Sequence, residues 1–208
     1  MTAAMTAPTT PADRLRPRRS CLAVPGSNPR FLEKAQGLPA DQVFLDLEDS
    51  VAPLVKQGAR HMIVDALNNG DWSGKIRVVR VNDWTTQWTY RDVVTVVEGA
   101  GASLDCVMLP KVADDVQVKA LDMLLTQIET TIGLPAGRIG IEAQIENARG
   151  LLNVDAIAAA SPRLETIVFS ICVSSRSIAR TWFASWTFGI MMQSRLAPAP
   201  STTVITSR

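Results

Sequence analysis

The chain has 208 residues with 47% hydrophobic content, enough for one domain with a sizeable core. Its 21 basic and 20 acidic residues nearly balance, which argues against a nucleic-acid or polyanion partner. No apolar run approaches the roughly 20 residues of a membrane span, residues 1–19 lack the apolar centre of a secretory signal, and one histidine is too few for a histidine-rich metal site.

In chain order, residues 1–17, rich in Thr, Ala, Pro and Arg, read as a disordered leader. A short strand in CLAVPGS (21–27) leads to Asn28-Pro29, an N-cap followed by Pro at the first helical position, so a helix is expected over roughly 29–37. VFLDLED (43–49) supplies a strand over 43–48, and a loop with Pro53 precedes a helix over about 55–68 closed by Asn69-Gly70. His61, beside Arg60 in this helix, reads as surface, and a Ser-His-Asp triad is not expected. IRVVRVND (76–83) gives a strand over 76–81, then a loop with Trp84 and Trp88 and a helix near 89–99. CVMLPK (106–111) gives a strand over 106–110 before a helix around 114–131, where Leu121, Leu124, Leu125, Ile128 and Ile132 keep a 3.6-residue period. IGIEAQIEN (139–147) gives a strand over 139–145, a helix follows near 150–160, and TIVF (166–169) is one more strand. Such strict β/α alternation predicts an all-parallel sheet of about six units. Cys21, Cys106 and Cys172, widely spaced and odd in number, read as reduced thiols of a cytoplasmic protein.

Parity within the strands separates two parallel architectures. Side chains alternate between the two faces of a strand, so Val43, Leu45 and Leu47 share one face while Phe44, Asp46 and Glu48 share the other. Likewise Ile139, Ile141 and Ile145 oppose Glu142, Gln144 and Glu146. A doubly wound sheet, covered on both faces, tends to have strands apolar throughout. It would also carry a Gly-rich phosphate loop after the first strand, which Pro25-Gly26-Ser27 is not. The expected fold class is therefore α/β, a TIM (β/α)8 barrel present to about six β/α units, with a polar mouth at the strand C-terminal ends.

Asp46, Glu48, Glu142 and Glu146 are expected to point inward with Asp49 at the rim, together with Arg80 and Lys111; five carboxylates against two cations leave a local charge of −3. Burying unpaired carboxylates costs several kcal/mol each. A divalent ion would compensate, and all-oxygen donors select Mg2+ or Mn2+ over Zn2+. Arg80 suits bidentate capture of a substrate carboxylate. It equally suits an internal salt bridge to one of the carboxylates, and both readings stand at this point. Arginine, metal and oxygen ligands at one mouth fit chemistry on an oxo acid, whose developing oxyanion a metal would stabilise.

The runs RRSCLAVPGSNPRFLEKA (18–35), LDLEDSVAP (45–53) with Lys56 and Ala59-Arg60, RVN (80–82), LPK (109–111) and IEAQIENARG (141–150) resemble the citrate lyase β-subunit-like family of the HpcH/HpaI aldolase superfamily. Within it the chain is most similar to the malyl-CoA and β-methylmalyl-CoA lyases, over about residues 18–169. The resemblance implies an eight-stranded β/α barrel, assembled as a trimer or hexamer. It implies Mg2+-dependent cleavage or formation of a C–C bond between an acyl-CoA and a 2-oxo acid such as glyoxylate. It assigns Arg80 to the oxo-acid carboxylate, Glu146 to the metal and substrate, Glu48 and Asp49 to the metal's water shell, and Lys34 to the CoA phosphates. Asp46 lies beside this acidic pair.

The family pattern then breaks. After the sixth strand the family carries a Gly-x-x-Asp-Phe-like motif whose Asp is a second metal ligand, whereas Phe169 is followed here by Ser-Ile-Cys-Val-Ser-Ser-Arg. No acidic residue lies beyond Glu165, and the 170–208 segment, with Trp182 and Trp186 in a Ser/Thr-rich run, reads as a tail foreign to the fold. A frame change or truncation in the coding sequence is the expectation, with weakened metal binding, low stability, and impaired turnover. The alternative is a catalytically inactive fragment that binds homologous subunits or CoA ligands.

Overall fold

The computed structural model describes residues 16–170 together with the backbone of residues 191–193. Most of the expected leader, and the tail with Cys172, Trp182 and Trp186, lie outside the described residues. The strands are β1 (Cys21–Pro25), β2 (Gln42–Asp46), β3 (Ile76–Arg80), β4 (Cys106–Leu109), β5 (Gly140–Ile145), β6 (Leu164–Phe169) and β7 (Met191–Gln193). The helices are α1 (Pro29–Gln36), α2 (Lys56–Asn69), α3 (Thr89–Ala100), α4 (Asp115–Thr131), α5 (Ala148–Leu152) and α6 (Val154–Ala158).

Local chemistry explains several boundaries. Asn28 caps α1 by accepting a hydrogen bond from the Phe31 amide at 3.3 Å, with Pro29 just inside the helix. Asp114 caps α4 through the Gln117 amide, and Asn147 caps α5 through the Gly150 amide at 2.8 Å. The single helix expected near 150–160 is instead two short ones. Asn153 ends α5 by donating its amide to Arg149 and Gly150 carbonyls, and its side-chain Nδ2 reaches the Ala113 carbonyl at 2.8 Å. Asparagine competes with the helix for backbone partners, and here it breaks the run.

The sheet order is β1-β2-β3-β4-β5-β6-β7, and each consecutive pair from β1 to β6 is parallel. Sequential order without reversal is the order of a β/α barrel, since a doubly wound sheet reverses at a switch point. β7 departs from the all-parallel expectation by pairing antiparallel with β6, Ile167 opposite Met192. The two faces separate as parity requires. Val43, Leu45, Leu47, Val79, Val107, Leu109, Ile141, Ala143 and Ile145 join Leu32, Ile63, Val93, Val96, Leu121 and Leu125 in one large core between sheet and helices. Ile76, Val78, Cys106 and Met108, with Phe44 and Val168, form a smaller cluster on the opposite, barrel-inward face. His61 is exposed on α2, as expected. Among the described residues no helix is long and apolar enough to cross a membrane.

Candidate active site

β2 and β3 are in register with Asp46 opposite Arg80, so both side chains leave the inward face at the same level near the strand C-terminal ends. Arg80 donates to Asp46 through Nε at 2.7 Å and Nη2 at 2.8 Å, a fork-to-carboxylate pair. Its guanidinium also lies 5.3 Å from the Phe44 ring centre, a cation–π contact on the same face. Asp46 in turn accepts the Glu48 amide at 2.9 Å and the Ser50 amide at 3.0 Å, so one carboxylate both holds the arginine and folds the acidic loop after β2. Burial works to raise the Asp46 pKa, but the Arg80 hydrogen bonds and charge outweigh it and hold the carboxyl below its ordinary range.

Glu48 stands between two cations, with Arg80 Nη1 at 3.2 Å and Lys111 Nζ at 2.7 Å. Both Glu48 carboxylate oxygens are buried, each facing one of these two cations. Burial raises the Glu48 pKa against the pull of Lys111 and Arg80. Lys111 Nζ also lies 3.8 Å from Asp49 and 3.8 Å from Asp83. Glu146, immediately past β5, has a buried Oε1 without a hydrogen-bond partner. Burial, with the negative charge of Glu48 adding to it, pushes the Glu146 carboxyl up to about 7. An oxygen of this kind is what a hard divalent cation would satisfy, so the side chains fit Mg2+ or Mn2+ to the extent of one ligand. Among the described residues no group of three or more His, Cys, Asp or Glu is gathered for a metal ion.

Behind the acidic loop lies a support that the sequence reading did not identify. Lys56, buried at the start of α2, donates Nζ to the Leu47 carbonyl at 2.6 Å and the Glu48 carbonyl at 2.9 Å. Asn82 Nδ2 donates to the same Leu47 carbonyl at 3.0 Å and to Asp92 at 2.6 Å, and Asp92 accepts Arg60 Nε at 2.7 Å. The signal was present, since Lys56, Arg60 and Asn82 stand in the family runs, but polar helix residues ordinarily read as solvated.

One expectation is corrected. Glu142 points inward as predicted, yet not into the mouth: it is fully buried toward the opposite end of the sheet, 3.1 Å from Arg18 Nε and accepting Gln42 Nε2 at 3.0 Å. Gln42 opens β2 and Asp46 closes it, which separates Glu142 from the mouth by the length of the strand. The mouth therefore gains Asp83 and loses Glu142. Arg80 is in this state an internal salt bridge, with further N–H groups on Nη1 and Nη2 outside its hydrogen bonds to Asp46. Lys34 is exposed on α1 and does not join the cluster.

Parallel strands in barrel order, with carboxylates and an arginine converging at their C-terminal ends, define the class of β/α-barrel proteins that carry their sites at that rim. The chain belongs to the HpcH/HpaI aldolase/citrate lyase family, whose model matches residues 19–175. That match runs past Phe169, a little beyond the break in the family pattern. The chain is 45% identical over 157 residues to an L-malyl-CoA/beta-methylmalyl-CoA lyase of Cereibacter sphaeroides, a region that is 76% of this chain and 49% of that protein. It is 36% identical over 153 residues to the citrate lyase subunit beta of Leuconostoc mesenteroides subsp. cremoris, covering 74% of this chain and 50% of the relative. Among solved structures, the citrate lyase beta subunit of M. tuberculosis complexed with oxaloacetate and magnesium superposes with a TM-score of 0.57 at 31% identity, over 75% of this chain and 59% of that one. The chain thus spans about half the length of the curated relatives it matches.

Proposed function

We propose that the protein is a Mg2+-dependent carbon–carbon lyase acting on a 3-hydroxyacyl-CoA such as malyl-CoA, releasing a 2-oxo acid such as glyoxylate and an acyl-CoA, with turnover impaired by the break in the family pattern after Phe169. The observation that carries this reading is the unpartnered buried Oε1 of Glu146 on the same rim as the Arg80–Asp46 pair. Likeness to a malyl-CoA lyase and to a magnesium-bound citrate lyase subunit supports the chemistry.

In this reading Glu146 would hold the cation, Mg2+ or Mn2+, and Glu48 and Asp49 would accept hydrogen bonds from water bound to it. A bound cation supplies Lewis-acid stabilisation of charge on the oxo-acid oxygen. Asp46 fixes the plane of Arg80, whose N–H groups not used by Asp46 would bind the substrate carboxylate. Cleavage removes the proton from the substrate hydroxyl, whose oxygen becomes the oxo group. The C–C bond breaks and its electron pair passes to the thioester α-carbon, which then takes a proton. Lys34 on α1 would serve the CoA phosphates.

The test is to incubate the 208-residue chain with acetyl-CoA, glyoxylate and Mg2+ and follow malyl-CoA by mass spectrometry. Thermal unfolding by circular dichroism is followed in parallel with and without Mg2+ plus glyoxylate. Metal-dependent product, lost in Glu146→Gln and weakened toward glyoxylate in Arg80→Ala, is the expected result. Product that survives chelation, or metal dependence retained in Glu146→Gln, overturns the assignment. A ligand-induced rise in unfolding temperature without product favours the binding-only fragment instead.

A further inference from the structure

Lys111 is the only non-glycine residue with a positive φ, 55°, among the described residues. That conformation is uncommon for a lysine and persists only where the surroundings impose it. Here they do so from both sides. The Lys111 carbonyl accepts Asn147 Nδ2 at 3.2 Å, and the next amide, of Val112, donates to the Gln144 carbonyl at 3.0 Å. Both partners flank the β5 end that carries Glu146. The turn so pinned aims the side chain across the mouth, where Nζ lies 2.7 Å from Glu48, 3.8 Å from Asp49 and 3.8 Å from Asp83. Nearly half of the side chain remains exposed, so it has room to leave. Glu48 contributes two buried oxygens, and Lys111 is the cation against Oε1 as Arg80 is against Oε2.

We propose that Lys111 is a built-in counter-ion to Glu48, Asp49 and Asp83, the acidic rim beside Glu146, and competes electrostatically with a divalent cation that Glu146 would hold, so that metal entry requires its ammonium to swing away. The inference rests on the metal site of the proposed function and adds a residue that sets its affinity. The physical reason is Coulombic: an ammonium beside the acidic rim repels an incoming dication and occupies the charge that would attract it. The left-handed turn keeps this competitor local. Exposure lets it retreat toward solvent once a cation arrives. Lys111 is thus a positioning residue for Glu48 in the metal-free protein.

The probe is Mn2+ alone, with free ion measured by electron paramagnetic resonance in titrations of the full chain. Lys111→Asn keeps a residue that tolerates the left-handed turn while deleting the charge; Lys111→Arg keeps the charge. Lys111→Asn is expected to bind Mn2+ at least about ten-fold more tightly than the unsubstituted protein, with Lys111→Arg close to it. Lys111→Gly serves as a second neutral variant relieved of backbone strain and is expected to behave like Lys111→Asn. Equal or weaker Mn2+ binding in both neutral variants overturns the competition and leaves the lyase reading standing. Absence of Mn2+ binding in every form overturns both. Binding that appears only when the charge is removed supports the proposal in its strongest form.

Discussion

Asp46 and Arg80, paired strand to strand, join two functions in one contact: the same carboxylate that receives the guanidinium fork at 2.7 and 2.8 Å also accepts the amides of Glu48 and Ser50. Removing either partner leaves a largely buried charge without its complement. Asp46→Ala is expected to cost about 3 kcal/mol in urea denaturation and to loosen the acidic loop, while Asp46→Asn, which keeps one acceptor, costs less. Equal stability of the alanine variant and the unsubstituted protein would contradict the arrangement.

Two carboxyls titrate near neutrality. Burial pushes Glu142 up to about 7 despite Arg18 beside it, and burial with the Glu48 charge pushes Glu146 up to about 7. A carboxyl raised in the folded state keeps a proton that the unfolded chain has already released. Its contribution to stability is therefore complete below the ordinary carboxyl range and is lost as pH rises through about 7. The unfolding free energy should fall from pH 5 to about pH 7, by at most about 1.4 kcal/mol per pH unit per group, and level off above. Glu142→Gln should flatten that slope; a slope unchanged in this variant argues against its assignment.

Gly150 lies where α5 meets the turn after β4. A Cβ there would come within 2.1 Å of the Val112 carbonyl oxygen and 3.2 Å of Ile145 Cγ2. Backbone cannot yield as a side-chain tip can, so Gly150→Ala is expected to destabilise by about 2 kcal/mol. The displaced helix start should also disturb Asn147, and through it the Lys111 turn. Heteronuclear NMR shifts confined to residues near 150 would refute that second effect.

Arg163 binds the α4 carboxylates of Asp122 at 2.5 Å and Glu129 at 2.8 Å, and Glu129 also accepts the Ile139 and Gly137 amides. One buried guanidinium thus ties α4 to the segment entering β6, while Glu129 holds the entry to β5. Arg163→Ala should cost about 3 to 5 kcal/mol, because Glu129 is left buried without its cation. Double substitution of Arg163 and Glu129 should cost less than the sum of the two single changes, measured as a thermodynamic cycle.

The strict β/α alternation indicated parallel strands, and the parity within 43–49, 76–83 and 139–147 a helix-covered face opposed by one whose polar residues crowd toward the strand C-terminal ends. Side-chain period and helix period are local properties, and caps such as Asn28 and Asp114 act over three residues. Glu146 and Arg80 were legible for the same reason, as polar residues at the C-terminal ends of otherwise apolar strands. Glu142 shows the boundary. Parity gives the face of a side chain but not its height in the barrel, and Glu142 went to the end where Arg18 and Gln42 wait. The left-handed turn at Lys111, the grip of Lys56 on the Leu47 and Glu48 carbonyls, and the choice of Asp46 as the partner of Arg80 depend on neighbours distant in sequence. Only strand register and helix docking decided those contacts. An ion pair's partner is set by which side chains reach the same few ångströms after packing, and no local pattern encodes that distance.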